Sequence, residues 1–459
     1  MSAFLTAVEL TELFARKALS PLEHWLALEK HVAANEPKYQ ALYAYDPEAA
    51  RAMAKASTER WAKGAPQGKL DGIPVTLKEL IATEGQPVPL GTAATKLVPA
   101  AADAPAAARL REDGAVIFAK TTCPDYGMLS SGLSSFHPLS RNPWDVTQNP
   151  GGSSAGAAAA AAAGYGPIHV GTDIGGSVRL PAGWCGIFGF KPSHGRIPVD
   201  PYYVGRCAGP MTRTVADSAL AMTALSRPDW RDGTSLPPET IDWMDLDGLD
   251  VKGLRIGLML EAGCGLETDP EIAAAVEEAA RRFEAAGAII VPVPGVLTRE
   301  MLDGLDDFWR ARFWGDMEKL DEASKAKILP YILDWAKGGD KVSGVAAVRG
   351  FNQTIEMRKT CGALFQQVDA VLSPTNPIIS YPADWASPTN DPAKPFEHIA
   401  FTVPWNMSEQ PASSINCGFS KGGMPIGLQI VGPRFADMSV LRLSKLYENW
   451  RGPMTNWPA

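Results

Sequence analysis

Residues 148–177, QNPGGSSAGAAAAAAAGYGPIHVGTDIGGS, constrain this chain more than any other stretch. They hold two glycine–serine clusters, GGSS at 151–154 and GGS at 175–177, with an alanine run between them. Glycine permits backbone conformations that a side chain forbids and lets another backbone or a ligand come close. Serine beside such glycines serves as a cap, a turn residue or a nucleophile. The alanines at 157–163 form helix readily, and their small side chains let that helix press against a neighbour. Ser153 or Ser154 then falls at the helix N-terminus, where free N–H groups and the dipole favour negative charge. Residues 167–172 read as a short buried strand ending in the turn DIGGS, which presents Ser177 with several backbone N–H groups nearby.

The rest of the chain is long enough, at 459 residues, for one large α/β unit or for two or three domains. A net charge of −8 with no basic block argues against nucleic acid or an anionic membrane as partner. Cys123, Cys185, Cys207, Cys264, Cys361 and Cys417 are scattered without a C-x-x-C pair, which argues against zinc and against a disulfide framework. Reduced thiols suit a cytoplasmic protein. The opening MSAFLTAVELTELFARKAL reads as an amphipathic helix, not a secretion signal. No run approaches the roughly 20 apolar residues that span a bilayer.

In chain order, apolar spacing predicts helices over 4–64, broken at Ser20–Pro21 and near Glu36–Pro37. A strand follows a DG turn and ends at Lys78. A helix at 104–111 and a strand at 115–120 lead into a long Ser-, Pro- and Gly-rich loop, 121–146. A loop of that length is usually functional or disordered. After Ser177 the glycines and prolines of VRLPAGWCGIFGFKPSHGRIPV imply irregular backbone. Residues 209–225 read as a loop and then a helix, with Thr214 or Asp217 as cap. A Pro- and Asp-rich linker at 226–250 precedes a strand (254–260), a helix (271–286) and a strand (289–292), an order that suits a sheet covered by helices. Residues 299–365 read as helical. Phe308, Trp309, Phe313 and Trp314 fall at helical spacing within them, as a core stripe or as a wall over an apolar substrate. A strand at 370–372 leads to a Pro-rich loop that is a candidate substrate-side segment. Strands at 411–420 and 425–432 and a helix at 438–450 close the chain.

An acyl-transfer hydrolase needs a nucleophile, a proton shuttle and donors for the oxyanion. One candidate is the G-x-S-x-G pattern GSSAG at 152–156, with Ser154 as nucleophile, a downstream acid and His398. S-x-x-K at 324–327 sits in a polar helix and is set aside. The second candidate uses Lys78, Ser153 and Ser177. A lysine acts as a base only when neutral, so Lys78 must be buried with a depressed pKa.

The series GIPVTLKE, RNPWDVTQNPGGSSAG, GTDIGGSVRLPAGWCGIFGFKPSHGRIP, GPMTRTVADSAL, DAVLSPTNP and GMPIGLQIVGP resembles the amidase signature family across most of the chain. The resemblance implies an α/β fold, a large mixed β-sheet sandwiched between helices. It implies one catalytic domain over 1–459, with N-terminal helices at about 1–64 and a mainly helical insertion at about 295–365. It implies Ser177 as the nucleophile, Ser153 as the proton relay with a cis peptide bond to Gly152, and Lys78 as the base. Backbone N–H groups of Ile174, Gly175, Gly176 and Ser177 match the oxyanion hole, and Ser154, Asp173 and Arg179 match supporting positions. The activity implied is hydrolysis of amide C–N bonds through an acyl-enzyme, with no metal or organic cofactor. Family substrates include small, fatty and peptide amides, nylon oligomers and carbamates. The Trp- and Met-rich segments around 126–144, 203–211 and 306–314 favour an apolar or aromatic small molecule, with Tyr126, Met128 and Leu129 as substrate contacts. An open rim at 376–395 would suit bulky anilides or urethanes. The family's aminoacyl-tRNA amidotransferase component is disfavoured here, since neither its downstream pattern nor a basic face is present. A catalytically inactive binding module on the same fold is the reading of another class, and the three intact positions argue against it.

Overall fold

Residues 3–458 are described by the computed structural model, and their strands join one eleven-stranded sheet. The strands are β1 (Leu42–Tyr43), β2 (Pro74–Lys78), β3 (Val116–Thr121), β4 (Ile168–Asp173), β5 (Phe188–Lys191), β6 (Cys207–Thr212), β7 (Arg255–Leu258), β8 (Ile289–Pro292), β9 (Ala370–Pro374), β10 (Ala412–Phe419) and β11 (Pro425–Val431). Their order across the sheet is β1-β3-β2-β4-β6-β5-β10-β11-β9-β7-β8. β2 runs parallel to β3 and β4, and β7 runs parallel to β8 and β9, whereas the remaining pairs are antiparallel. The sheet is therefore mixed, as the resemblance implied.

Among the described residues fourteen α-helices pack around it: α1 (Ala7–Ala15), α2 (Pro21–Tyr39), α3 (Pro47–Ala62), α4 (Pro105–Glu112), α5 (Ala155–Ala162), α6 (Arg179–Cys185), α7 (Val215–Leu225), α8 (Pro270–Ala285), α9 (Arg299–Met317), α10 (Glu322–Lys325), α11 (Pro330–Lys337), α12 (Gly344–Leu364), α13 (Val403–Met407) and α14 (Asp437–Arg451). Alternation along the strands sends side chains to both faces. Ala370 and Leu372 of β9 join a core with residues of α1, α7, α8 and α14, while Val371 joins a second core with residues of α6, α9, α11, α12 and α13. All eight residues of α5 are buried. Only alanine and glycine would let a helix sit this deep between the sheet and α6.

Three local expectations are corrected. The break at Glu36–Pro37 does not end α2, which continues to Tyr39 and stops where Gln40 turns left-handed at φ 53°. The irregular backbone expected after Ser177 is helix α6 followed by strand β5. Pro181 fits because it lies in the first helical turn, where no amide needs an intrahelical partner. The loop expected at 209 is strand β6, lying between β4 and β5. Gly209 and Pro210 hide it in the sequence. Pro210 donates nothing to the ladder, and Gly209 leaves room for the Phe190 carbonyl, which a Cβ would strike. Thr214 caps α7 as expected, its side chain accepting from the Asp217 amide.

Candidate active site

β2 is buried along its whole length, and its last residue carries an amine into the interior. Lys78 Nζ lies 2.7 Å from Ser153 Oγ and 3.0 Å from Thr172 Oγ1, and the residue has no exposed surface. Burial lowers its pKa from 10.5 to about 8. An amine held between two hydroxyls and away from water gives up its proton more readily than a solvated lysine.

Ser153 reaches this amine because the chain at the head of α5 is pinned. The Gly152–Ser153 peptide bond is cis. The Ser154 amide donates to the Ser177 carbonyl at 3.2 Å. Ser154 Oγ donates to the Thr172 carbonyl at 3.2 Å and accepts from the Thr172 amide at 3.3 Å. Ser154 thus ties the head of α5 to the end of β4 and to Ser177. Its hydroxyl is spent on backbone, and it is absent from the cavity wall. That overturns the GSSAG reading, which needs Ser154 as an exposed nucleophile.

The turn after β4 is built on one carboxylate. Asp173 accepts from the backbone amides of Gly176 at 2.8 Å, Val178 at 3.1 Å and Arg179 at 3.4 Å. The Arg179 guanidinium meets it with two bonds, at 3.0 and 2.9 Å. Burial opposes the charge on Asp173, but the Arg179 guanidinium overcomes it and holds the carboxyl well below the usual carboxylate range. Arg179 also donates to the Thr402 carbonyl, Gln429 Oε1 and Asn406 Oδ1 at 3.0, 2.8 and 2.6 Å. Gly176 adopts φ +126°, and a Cβ there would strike Thr402 Oγ1, so the turn needs glycine. One expectation changes here. The Gly176 N–H, expected in the oxyanion hole, is already given to Asp173. Among the described residues the N–H groups of Ile174, Gly175 and Ser177 have no such partner.

Ser153, Thr172 and Ser177 lie at the floor of a cavity of about 280 Å³. Tyr126, Met128 and Leu129, the expected substrate contacts, are in its wall, with Leu80, Leu90, Phe396 and Ile399. Glu79 fixes Leu90 there by accepting from its amide at 3.0 Å. The aromatic stripe of α9 divides. Trp309 and Phe313 line the cavity, whereas Phe308 packs on Tyr203 and Phe351 and Trp314 lies under the Lys325 ammonium. The segment 376–395, expected as an open rim, is not in the wall. It is pinned outside: the Asn149 amide donates to the Tyr381 carbonyl at 2.9 Å, and Ser131 Oγ to the Trp385 carbonyl at 2.7 Å.

Sequence reading missed Thr172, His398, Arg206 and Arg312 as lining residues. Thr172 is discoverable from its place one residue before Asp173 at the strand end. His398 is neutral, its pKa pushed down to about 3 by burial, and its Nε2 is 2.7 Å from Ser130 Oγ. Among the described residues its Nδ1 and the Trp309 Nε1 have no hydrogen-bond partner. Arg206, Arg312 and Asp316 add charge to a wall in which Ser130, Asp173 and His398 already stand among the apolar side chains.

A family model described as Amidase matches residues 26–441. The A component of a glutamyl-tRNA(Gln) amidotransferase from Chloroflexus aurantiacus is 33% identical, over 99% of this chain and 94% of that protein. A Rhodococcus erythropolis protein described as an acylamidase is 32% identical, over 97% of this chain and 95% of that protein. Among solved structures, a bacterial aryl acylamidase of the amidase signature family superposes with a TM-score of 0.90 at 28% identity, covering 98% of this chain and 97% of its own. A 6-aminohexanoate cyclic dimer hydrolase superposes with a TM-score of 0.89 at 25% identity, covering 100% and 99%. The likeness to an amidotransferase component weakens the expectation against that role. Among the described residues no helix is long and apolar enough to cross a membrane.

Proposed function

We propose, from the premise that this chain belongs to the amidase family and acts on C–N bonds, that it hydrolyses small aryl or alkyl amides or carbamates through an acyl-enzyme on Ser177. The observation that carries this reading is the fully buried Lys78 Nζ at 2.7 Å from Ser153 Oγ, a serine that lines one cavity with Ser177. With the amine neutral, that bond runs from the Ser153 hydroxyl to the Nζ lone pair. Ser153 can then take the Ser177 proton as Ser177 Oγ attacks the carbonyl carbon. Charge developing on the carbonyl oxygen is met by the amides of Ile174, Gly175 and Ser177. One such donor is typically worth about 2.7–4 kcal/mol in the transition state. The relay returns its proton to the departing nitrogen, and water completes the cycle by attacking the acyl-enzyme. The apolar wall of Tyr126, Met128, Leu129, Trp309 and Phe313 supports an aryl or alkyl body next to the scissile bond.

A second reading is favoured by the Chloroflexus relative, a component of a glutamyl-tRNA(Gln) amidotransferase: amide transfer within a larger assembly, for which glutamine is a simple amide to test. One experiment separates them. Parent and Ser177→Ala proteins are given an acyl nitroanilide, a carbamate of the same nitroaniline, and glutamine. Release of nitroaniline by the parent and its loss in Ser177→Ala, by at least about 1,000-fold, supports the hydrolase reading. The amide-to-carbamate ratio then sets the preferred class. Turnover of glutamine alone would hand the site to the second reading, and a Ser177→Ala protein as active as the parent would remove Ser177 as nucleophile.

A further inference from the structure

Arg206 and Arg312 stand in the same cavity wall, and neither has an ion-pair partner among the described residues. Arg206 gives one N–H to the Pro201 carbonyl at 3.0 Å. The Arg312 side chain makes no hydrogen bond among the described residues. Its guanidinium lies over the Tyr203 ring, 3.6 Å from the centroid. Stacking of this kind holds the planar group in place and leaves its edge donors free. Arg310, on the same helix, shows the ordinary alternative: it bonds Asp306, the Trp335 carbonyl and the Pro392 carbonyl, all within 2.9 Å. Both cavity arginines are only half-exposed. Two like charges set close in a partly dry wall repel, and each loses hydration; without a ligand the arrangement costs stability.

Asp316, one helical turn beyond Arg312, lies at the exposed rim and forms no ion pair with either arginine. Asp200 acts on Arg206 electrostatically without forming an ion pair with it. The guanidinium donors left without an acid partner fit an anion, and a planar carboxylate matches the fork of a guanidinium. We propose that this cavity takes amides bearing a carboxylate remote from the scissile bond, gripped by Arg206 and Arg312, with the apolar wall covering the body between. The inference rests on the acyl-enzyme reading for the reaction, and it adds the chemical class of the substrate.

The test measures binding without turnover. Ser177→Ala protein is titrated calorimetrically with ω-phenyl carboxylates from benzoate to 5-phenylpentanoate and with the matching ω-phenyl alcohols. At least one acid should bind about tenfold or more tighter than its alcohol, the scale expected of hydrogen bonds between charged groups. That ratio should fall toward one when Arg206→Met and Arg312→Met are added. Should the double variant not fold, Arg312→Met alone should still lower the ratio. Equal binding of acid and alcohol at every chain length, or a preference that survives removal of both arginines, overturns the proposal. The nitroanilide assay is read separately. Loss of nitroaniline release in Ser177→Ala with no acid preference sinks the carboxylate site alone. An acid preference with no Ser177-dependent hydrolysis sinks the reaction and leaves an anion-binding cavity.

Discussion

Arg179, behind the turn that carries Ser177, and Arg312, in the cavity wall, are two guanidiniums used in opposite ways. Arg179 is fully buried and makes five hydrogen bonds, two to Asp173 and three to Thr402, Gln429 and Asn406. Arg312 makes none among the described residues and rests on Tyr203. A saturated cation is part of the scaffold: it sets the turn that presents Ser177. An unsaturated cation in a cavity wall is a group waiting for a ligand. The difference is one of unspent donors, which neither residue type nor burial alone reveals.

The largest effect that could break this comparison is on stability. Arg179→Met leaves the Asp173 carboxylate buried without its countercharge, so urea unfolding should show a loss of about 3–5 kcal/mol. A loss under about 1 kcal/mol would mean that Arg179 is not the scaffold cation. The next effect is on pH dependence. In the proposed relay only neutral Lys78 accepts a proton, so kcat/KM should rise with pH through about 8 and level above it. The charge on Arg206 helps to lower the Lys78 pKa, so in Arg206→Met that limb should move to higher pH. A limb that stays put would separate the mouth of the cavity from the base. The linked effect on folding has a definite sign. Between about pH 8 and 10.5 the unfolded chain holds the Lys78 proton and the folded one does not, so this residue's contribution to stability grows as pH rises through that window. Lys78→Met should remove the growth. The smallest effect sharpens the contrast: Arg312→Met should cost no more than about 1 kcal/mol, the worth of its stacking on Tyr203, measured in the same urea series.

Much of this is legible along the chain. Lys78 falls at the end of a predicted strand, the alanines predict a helix with Ser153 and Ser154 at its head, and a predicted strand leads into the turn at Ser177. These are local signals, set by glycine freedom, alanine propensity and apolar runs. What fails does so where partners lie far off in sequence. Gly209 and Pro210 look like loop until β4 and β5 pair on either side. The Pro-rich segment 376–395 looks like an open rim until Asn149 and Ser131 tie it down. The Gly176 amide looks like an oxyanion donor until the Asp173 carboxylate turns back to meet it. Of the α9 stripe, only Trp309 and Phe313 reach the cavity, because helical spacing says which residues share a face and not what that face meets.

By itself the sequence determined the order of the parts: a lysine ending a strand, a serine heading a small-residue helix, a serine in a glycine turn, and the family series that runs through them. Tertiary structure alone decided which polar groups are already satisfied. Hydrogen-bond saturation at Arg179 depends on Thr402, Asn406 and Gln429, more than two hundred residues away. The free edge of Arg312 depends on Tyr203, carried by a different loop. Local propensity acts over a few residues and can be read along the chain, whereas the pairing of a charge is settled only by what folding brings within about 3 Å of it.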